Sequence, residues 1–420
     1  MREWVSARRH VGALAWTGLD QAFSSLSNVV VSLALARGAG APGLGAFTVI
    51  FGTYLIVLGF QRALIADPLL ASSPTIDDRD AERAALGAAI IFSAIGALLV
   101  LGIGAILGRS EFFALTVVLP FVCVQDLLRY VAFRRLHPRT AAVLDLVWTF
   151  VAVGAWWLIR AGSVSRAVLL WGAGGALGVF LGLFLLGLTP MGIRATWRWW
   201  NRDARVFGMA LAIGGVAYTV SAQASVFIVA GALGSADLGV LRAAQILLAP
   251  SAPVLAAFGA FALPRMARRA SELTRRDSLL ASVASLALAA PVAAGALVAA
   301  HPLTRLLYGS SVAVPRQLLL PVALASLLSA AAAGTILSLK ARRRGRALVS
   351  AHVATGALGL VFVAAALRAG VTAVAWAQAA QALVYFVAAW ALLEMRATAT
   401  PIGKVAAVAP EARELGGGET

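Results

Sequence analysis

Long apolar segments recur along the entire chain and alternate with short segments rich in arginine and glycine. A helix needs about 20 predominantly apolar residues to cross the hydrocarbon core of a bilayer. Twelve segments have roughly that length, and we predict that each forms a membrane-spanning helix. These segments cover residues 11–35, 44–65, 85–107, 112–133, 141–160, 166–188, 206–231, 238–262, 279–299, 318–339, 347–367 and 371–393.

The composition points to the same class of protein. Of the 420 residues, 61% are hydrophobic and 13% are charged, and the mean hydropathy is +0.88. Soluble domains are about 45–50% apolar and about 25% charged, so a soluble globular protein is excluded. We predict an all-α integral membrane protein with about 12 transmembrane helices and little mass outside the bilayer.

The distribution of the 35 arginines and lysines predicts the topology. If the N-terminus is cytoplasmic, 25 of them lie on the cytoplasmic side, seven lie outside, and Arg62, Arg129 and Arg242 lie within spans. Cytoplasmic loops of membrane proteins carry an excess of these residues, so both termini are predicted to be cytoplasmic. The net charge of +17 therefore reflects topology, and no nucleic-acid partner is expected.

An internal repeat divides the chain into two halves. The sequence Gly-Ala-Pro-Gly-Leu-Gly at 40–45 has a counterpart, Gly-Ser-Ala-Asp-Leu-Gly, 194 residues later at 234–239. Each is predicted to form a tight external turn that leads into an apolar span. We predict an N-terminal six-helix lobe over 1–188 and a C-terminal six-helix lobe over 206–393, with the same orientation. The remaining segments are predicted to be an amphipathic cytoplasmic linker over 189–205 and a disordered cytoplasmic tail over 394–420.

The first span carries polar side chains that an ordinary lipid-facing helix lacks. At helical spacing they fall on one stripe and its edge, namely Asp20, Gln21, Ser24, Ser25, Ser27, Asn28 and Ser32. A charge that faces lipid is costly, so we expect this stripe to face a wet cavity. A seam between helices, held by small polar residues, explains the serines equally well but explains Asp20 poorly.

Ionisable residues cluster within the spans of the first half, at Asp20, Arg62, Asp126, Arg129 and Asp145. One interpretation is that they pair and close the helix bundle, with Arg129 bound to Asp126 at i, i+3 and Arg62 reached by Asp20 or Asp145. The other is a central cavity, in which arginines hold an anionic head group while carboxylates titrate or bind a coupling cation.

Candidate site residues come from both halves. The candidates for substrate binding are Gln21, Asn28, Arg62, Gln125, Arg129, Arg242 and Gln245, and those for coupling or ion pairing are Asp20, Asp126 and Asp145. The alternative for Arg242 is that it snorkels to the outer interface, about one turn away. The sequence contains no Walker A run, no His/Cys metal spacing and no Gly-x-Ser-x-Gly, so neither hydrolysis nor a metal or cofactor is expected.

Motifs near the N-terminus resemble a known exporter family. The first span reads Leu-Asp-Gln-Ala-Phe-Ser-Ser-Leu-Ser-Asn at 19–28, and the next begins with Gly-Leu-Gly-Ala-Phe at 43–47. That second span ends in Gln-Arg-Ala-Leu at 61–64, followed by Asp-Pro-Leu-Leu at 67–70. These motifs resemble the O-antigen-type (Wzx-like) flippases, in the polysaccharide-export branch of the multidrug/oligosaccharidyl-lipid/polysaccharide exporter superfamily.

The resemblance implies two six-helix lobes around a central cavity with alternating access. It also implies a transporter, not an enzyme, which moves undecaprenyl-diphosphate-linked oligosaccharide from the inner to the outer leaflet of the bacterial plasma membrane. Such export serves the biosynthesis of cell-surface polysaccharide. The expected partners are the lipid-linked oligosaccharide, membrane lipids, and glycosyltransferases or a polymerase of the same pathway.

The residues leave three alternatives. The first is a cation-coupled small-molecule or drug antiporter of the same fold, for which an acidic, aromatic-lined pocket is expected. The second is a non-transporting membrane scaffold of a polysaccharide assembly complex. The third is a membrane glycosyltransferase, which the lack of a large extramembrane catalytic segment disfavours.

The topology gives the first test. In intact cells, an impermeant maleimide is expected to label a cysteine placed at Ser310, in a predicted external segment, and to spare one at Ser271, in a predicted cytoplasmic segment. The native Cys123 lies within an apolar span and is expected to be buried and unreactive. The reverse labelling pattern would contradict the twelve-span topology.

Overall fold

The computed structural model describes residues 2–71, 78–205, 208–209, 212, 217–342 and 344–394. Within these ranges the chain is α-helical, with short π-helical turns at Arg62–Ala66 and Trp200–Ala204, and contains no strand. The predicted tail beyond residue 394 lies outside the described residues.

Fifteen α-helices are described, and we number them in chain order. The first half contains α1 (Arg2–Gln61), α2 (Asp67–Ala71), α3 (Asp78–Leu107), α4 (Ser110–Arg134), α5 (Pro138–Gly154), α6 (Trp156–Arg160) and α7 (Val164–Leu186). A short helix follows, α8 (Ile193–Trp199). The second half contains α9 (Ala217–Ile246), α10 (Ser251–Arg268), α11 (Arg275–Val298), α12 (Ala300–Tyr308), α13 (Arg316–Ala341), α14 (Gly345–Ala366) and α15 (Val371–Glu394).

Nine helical segments of the described chain are long and apolar enough to cross a membrane. One of them, Ala15–Leu70, has 56 residues and corresponds to two predicted spans joined by a kink. Another, Thr219–Ile246, is kinked in the same way, and α10 extends its second part. Together α5 and α6 occupy the fifth predicted span. The all-α class and about 12 transmembrane helices are confirmed.

Both kinks lie at the first glycine of the repeated motif. Gly40 has φ 65° and ψ −162°, and Gly234 has φ 89° and ψ 169°. A residue with a Cβ rarely adopts this backbone conformation, which interrupts the helix and lets the chain change direction. The two turns predicted from the repeat are therefore built in the same way.

The segments that follow the two kinks approach each other very closely. A Cβ placed on Gly45 would lie 1.8 Å from the carbonyl oxygen of Ser235, and one placed on Gly239 would lie 1.8 Å from that of Ala41. The two contacts are reciprocal, because Ala41 and Gly45 correspond to Ser235 and Gly239 in the 194-residue repeat. We call them the paired glycine contact. They join the halves at the end of the bundle predicted to be external.

Other bonds fasten the same end of the bundle. The Nε of Arg37 donates to the carbonyl oxygen of Leu307 at 2.8 Å, and its Nη2 donates to that of Leu306. In return, the Ser311 hydroxyl donates to the Arg37 carbonyl at 3.0 Å. The first span is thus tied to α12 and the segment after it.

The helices pack as two sets. In the first set α3, α5 and α7 pack around α4 and α1. In the second set α11 and α15 pack around α13, and α14 lies between α15 and α9. The main contact between the sets is α1 against α9. These sets form the two lobes, whereas the exact lobe boundaries at 188 and 206 stay a prediction.

Two predicted spans are interrupted. The eighth was expected to be continuous over 238–262, but the helix ends at Ile246 and restarts at Ser251. Pro250 accounts for the break, because proline lacks an N–H and its ring collides with the carbonyl four residues earlier. In the fifth, the chain turns at Ala155 between α5 and α6. The predicted linker contains a helical turn of its own, α8.

The paired glycine contact gives a stability prediction. Gly45→Ala and Gly239→Ala each place a methyl group inside the van der Waals radius of a carbonyl oxygen, so the helices must separate. Overpacking of this kind costs about 1–3 kcal/mol. Both variants are expected to have a lower melting temperature in detergent than the wild type. Gly231→Ala is the control, because nothing lies within 4 Å of its added Cβ. Melting temperatures that match this control would contradict the contact.

Candidate functional site

Two neighbouring cavities lie inside the helix bundle. The larger, of about 440 Å³, is lined by the second segment of α1, by α9, and by α13, α14 and α15. The smaller, of about 180 Å³, is lined by α1, α4 and α5. Phe51 and Leu55 line both cavities, so the second segment of α1 forms the wall between them.

The polar stripe of the first span faces the smaller cavity. Four of its members, Gln21, Ser24, Ser27 and Asn28, line that cavity together with the aromatic rings of Tyr54 and Trp148. Ser32 is buried and donates to the Asn28 carbonyl at 2.8 Å. The structure therefore brings four of the seven stripe residues to a cavity, in line with the expectation that the stripe faces a cavity and not a seam between helices. Asp20, Ser25 and Ser32 do not line it, and Asp20, the residue that favoured a cavity over a seam, is fully buried.

Arg129 lies at the centre of a buried ion-pair network. Its Nε and Nη2 donate to Asp20 Oδ1 and Oδ2 at 3.0 and 2.5 Å, and its Nη1 donates to Asp126 Oδ1 at 3.2 Å. The Nε also lies 3.2 Å from Asp145 Oδ2. All four residues are at most 5% exposed. Because they come from α1, α4 and α5, the network ties these three helices together.

Arg62 lies at the edge of this network. Its Nε and Nη2 donate to the two oxygens of Asp126 at 2.8 and 2.6 Å, and its guanidinium carbon lies 5.7 Å from the Tyr130 ring centre. Its side chain is 38% exposed, compared with 6% for Arg129. Arg62 lines the smaller cavity. Of the two arginines, it is the one whose guanidinium a ligand in the cavity could reach.

The expected pairing of Arg62 with Asp20 or Asp145 is wrong. Both carboxylates bind Arg129, and Arg62 binds Asp126. Depth along a helix can be read from the sequence, but the rotation of a helix about its axis cannot. The i, i+3 pair between Asp126 and Arg129 is confirmed, since it depends on helical spacing alone.

Gln125 lies away from the cavities. It is fully buried, its Nε2 donates to Asp145 Oδ1 at 2.8 Å, and its side chain packs on Gly178 of α7. It holds the network in place and lines neither cavity. A second buried amide, Gln61 of the exporter-like motif, was not among the candidate site residues, and its Nε2 donates to the Cys123 carbonyl at 2.7 Å. Cys123 itself is buried, as expected.

The larger cavity brings Arg242 and Gln245 together with three amides that the sequence reading missed. These are Gln223 on α9 and Gln378 and Gln381 on α15. The signal for the last two was present, because two glutamines at i, i+3 within an apolar span lie on one helix face. Ser326, Ser329 and Thr48 add hydroxyl groups to the wall.

The cavity walls differ in charge from the network behind them. The walls contain Arg62, Arg129 and Arg242, and within the described chain no carboxylate lines either cavity. An anion would therefore meet guanidinium groups, whereas an organic cation would meet no exposed carboxylate. In the same part of the chain, no group of His, Cys, Asp or Glu side chains is arranged to hold a metal ion.

The charge balance of the network predicts which variants fold. Asp20→Asn removes one partner of Arg129 but leaves two carboxylates with two guanidinium groups, so no buried charge is left unbalanced, and its abundance is expected to fall far less than that of Arg129→Gln. Arg129→Gln leaves three carboxylates with Arg62 alone, and breaking a buried ion pair costs about 3–5 kcal/mol. Its abundance and melting temperature are expected to fall sharply. Abundance is measured by size-exclusion chromatography of fluorescent fusions, and the melting temperature is measured by thermal unfolding. Equal stability of the two variants would contradict the network.

Part of the sequence matches a known family. Residues 176–315, about a third of the chain, match the family model described as "Polysaccharide biosynthesis protein". No curated protein matches the chain.

Solved structures match over nearly the whole chain. An inward-facing multidrug resistance MATE family transporter of the MOP superfamily has a TM-score of 0.68 at 14% identity, with 89% of this chain and 96% of that chain covered. The lipid II flippase MurJ, in an inward closed conformation, has a TM-score of 0.65 at 13% identity, with 90% and 87% covered. A MOP superfamily transporter from Pyrococcus furiosus has a TM-score of 0.62 at 11% identity, with 92% and 95% covered.

These three solved structures are of transporters or a flippase, and they share the fold that the N-terminal resemblance implies. At such identities the likeness shows the fold. The chain is therefore a multi-pass membrane protein with a fold shared by MOP superfamily transporters, and its residues 176–315 match a polysaccharide biosynthesis family.

Proposed function

We propose that the protein is a flippase for lipid-linked oligosaccharide. It moves an undecaprenyl-diphosphate-linked saccharide from the inner to the outer leaflet of the bacterial plasma membrane for cell-surface polysaccharide. The match of residues 176–315 to a polysaccharide biosynthesis family supports this substrate, as does the likeness in fold to a lipid II flippase.

The observation that carries the proposal is the charge of the cavity walls. In the described chain three arginines and no carboxylate line the two cavities. A diphosphate is a compact anion with several acceptor oxygens, and the planar guanidinium group can meet two of them at once. An anionic head group therefore suits these cavities better than a cationic drug does.

Arg62 is the best placed of the three to hold the diphosphate. Its bonds to Asp126 use two of its five N–H groups, and its side chain is partly exposed in the cavity wall. Arg129 is less suited, because three carboxylates already surround its guanidinium group. In the proposed cycle the diphosphate binds Arg62 and displaces or joins Asp126. The carboxylate rebinds the arginine when the substrate leaves.

Release on the outer side needs the predicted external end to open. The paired glycine contact joins the two halves there, so the proposed alternating access requires Gly45 to part from Ser235 and Gly239 from Ala41. Small residues allow helices to approach closely with no interlocking side chains, which suits a contact that must form and break in each cycle.

A cation-coupled drug antiporter is the second candidate. One observation favours coupling to a proton or cation, namely that the network holds three carboxylates against two guanidinium groups. This surplus charge is equally compatible with a cation-coupled flippase. A drug antiporter would in addition need a carboxylate that faces its cargo, and the described cavity walls offer none.

The role of Arg62 is tested by binding. Arg62→Ala is expected to weaken binding of an undecaprenyl-diphosphate-linked saccharide by about 10- to 100-fold, the value of a charge-assisted hydrogen bond. Arg62→Lys keeps the charge but loses the fork of donors, so its loss is expected to be smaller. The dissociation constant is measured by tryptophan fluorescence of the purified protein in nanodiscs.

Arg109→Ala is the matched control. Arg109 is 40% exposed and pairs with Glu111, so it resembles Arg62 in exposure and pairing but lies outside the cavities. Binding is expected to be unchanged in this variant. Asp126→Asn, which releases Arg62 from its carboxylate, is expected to tighten binding. Unchanged affinity in Arg62→Ala, at normal melting temperature, would contradict the proposed role.

A further inference from the structure

Arg242 differs from the other two cavity arginines in its surroundings. Within the described chain no carboxylate pairs with it, and its Nη1 donates to Gln245 Oε1 at 3.5 Å, a long and therefore weak hydrogen bond. A charged side chain inside a membrane protein is costly when nothing neutralises it. Arg242 is thus a cation for which an anionic ligand would supply the missing counter-charge.

Four amide side chains line the same cavity as this arginine, and one of them, Gln245, bonds it. Gln245 Nε2 donates to Gln378 Oε1 at 3.3 Å, and Gln381 Nε2 donates to the Thr355 carbonyl at 3.4 Å. Both bonds are again long, so a ligand that replaces them loses little. Gln223, which lies on the first segment of α9 and packs against Gly52 of α1, completes the set. Each amide offers both donors and an acceptor, which is what a sugar hydroxyl requires.

The size of the cavity also fits a ligand that is larger than an ion. Its volume of about 440 Å³ lies within the range of about 300–1,000 Å³ that is usual for small-molecule sites, whereas the cavity beside Arg62 is about 180 Å³. Among its described lining residues Arg242 is the only charged one, and glutamine, serine, threonine and tyrosine side chains supply the other polar groups. That combination suits a hydroxyl-rich ligand with an acidic substituent.

We propose that the larger cavity is a saccharide subsite, in which Arg242 binds a carboxylate carried by the sugar and Gln245, Gln378 and Gln381 bind its hydroxyl groups. The inference rests on the proposed function and adds the class of glycan, an acidic oligosaccharide. The two cavities then divide one substrate between them, because Arg62 holds the diphosphate and the adjoining cavity holds the sugar.

Three probes separate the parts of the substrate. They are undecaprenyl diphosphate alone, the same lipid carrying a neutral oligosaccharide, and the same lipid carrying an oligosaccharide of equal length with one uronic acid. The dissociation constant of each is measured in nanodiscs. The wild type is expected to bind the acidic probe about tenfold or more tightly than the neutral one, the value of a charge-assisted hydrogen bond.

Two variants leave the cavity without an unneutralised cation, one by deleting the charge of Arg242 and the other by neutralising it. Arg242→Gln deletes the charge, and Gln245→Glu places a carboxylate where the bonded amide lies, one turn from the arginine. Both are expected to bind the acidic and neutral probes equally while binding of undecaprenyl diphosphate alone is unchanged. Because the second variant keeps Arg242, it tests the proposal even if the first folds poorly. Arg305→Gln, an exposed arginine on α12, is the control.

The amides are tested with Gln378→Leu. This variant is expected to weaken binding of both saccharide probes by about fivefold, the value of a neutral hydrogen bond, and to leave undecaprenyl diphosphate unaffected. Equal binding of the neutral and acidic probes by the wild type would overturn the proposal. Weaker binding of undecaprenyl diphosphate alone in Arg242→Gln would also overturn it, because Arg242 would then hold the diphosphate. Failure of the wild type to bind undecaprenyl diphosphate would instead remove the proposed function.

Discussion

Arg129 lies buried among the helices of the first lobe. Its N–H groups bind carboxylates from α1 and α4, and a third carboxylate, from α5, lies 3.2 Å away. A guanidinium group in this position is costly unless carboxylates surround it, and each carboxylate is equally dependent on the guanidinium. The rotation of three helices about their axes is thereby fixed. The polar stripe of the first span faces the smaller cavity because Asp20, at its edge, is held on Arg129.

The same network determines the character of the cavities. The three aspartates are turned toward arginines and away from the cavity walls, so the walls present guanidinium and amide groups. Arg62 connects the two environments, because it shares Asp126 with the network and also lines the smaller cavity. We infer that stability depends on the buried partners of this cluster, whereas binding depends on the partly exposed members and on the amides of the second lobe.

The sequence predicted the features that depend on helix length, helical spacing and repetition. These include the helical class, the number of spans, the glycine-bearing turns at 40–45 and 234–239, and the pair of Asp126 with Arg129. It did not predict which helices face each other. Arg62 was therefore assigned the wrong partners. Gln125 was assigned to a binding role, although its side chain bonds and supports Asp145. Gln378 and Gln381 were overlooked because several helices together form their cavity.

The central claim, that the protein carries a lipid-linked saccharide across the bilayer, is tested most directly in proteoliposomes. Undecaprenyl-diphosphate-linked oligosaccharide is incorporated into both leaflets, and a glycosidase added outside reports the fraction of saccharide in the outer leaflet. With the wild-type protein, and with a proton or sodium gradient supplied in parallel samples, the cleaved fraction is expected to exceed that of protein-free vesicles. It is expected to stay at the protein-free level for Arg62→Ala. A cleaved fraction equal to that of protein-free vesicles under every gradient, from correctly folded wild-type protein, would contradict the account.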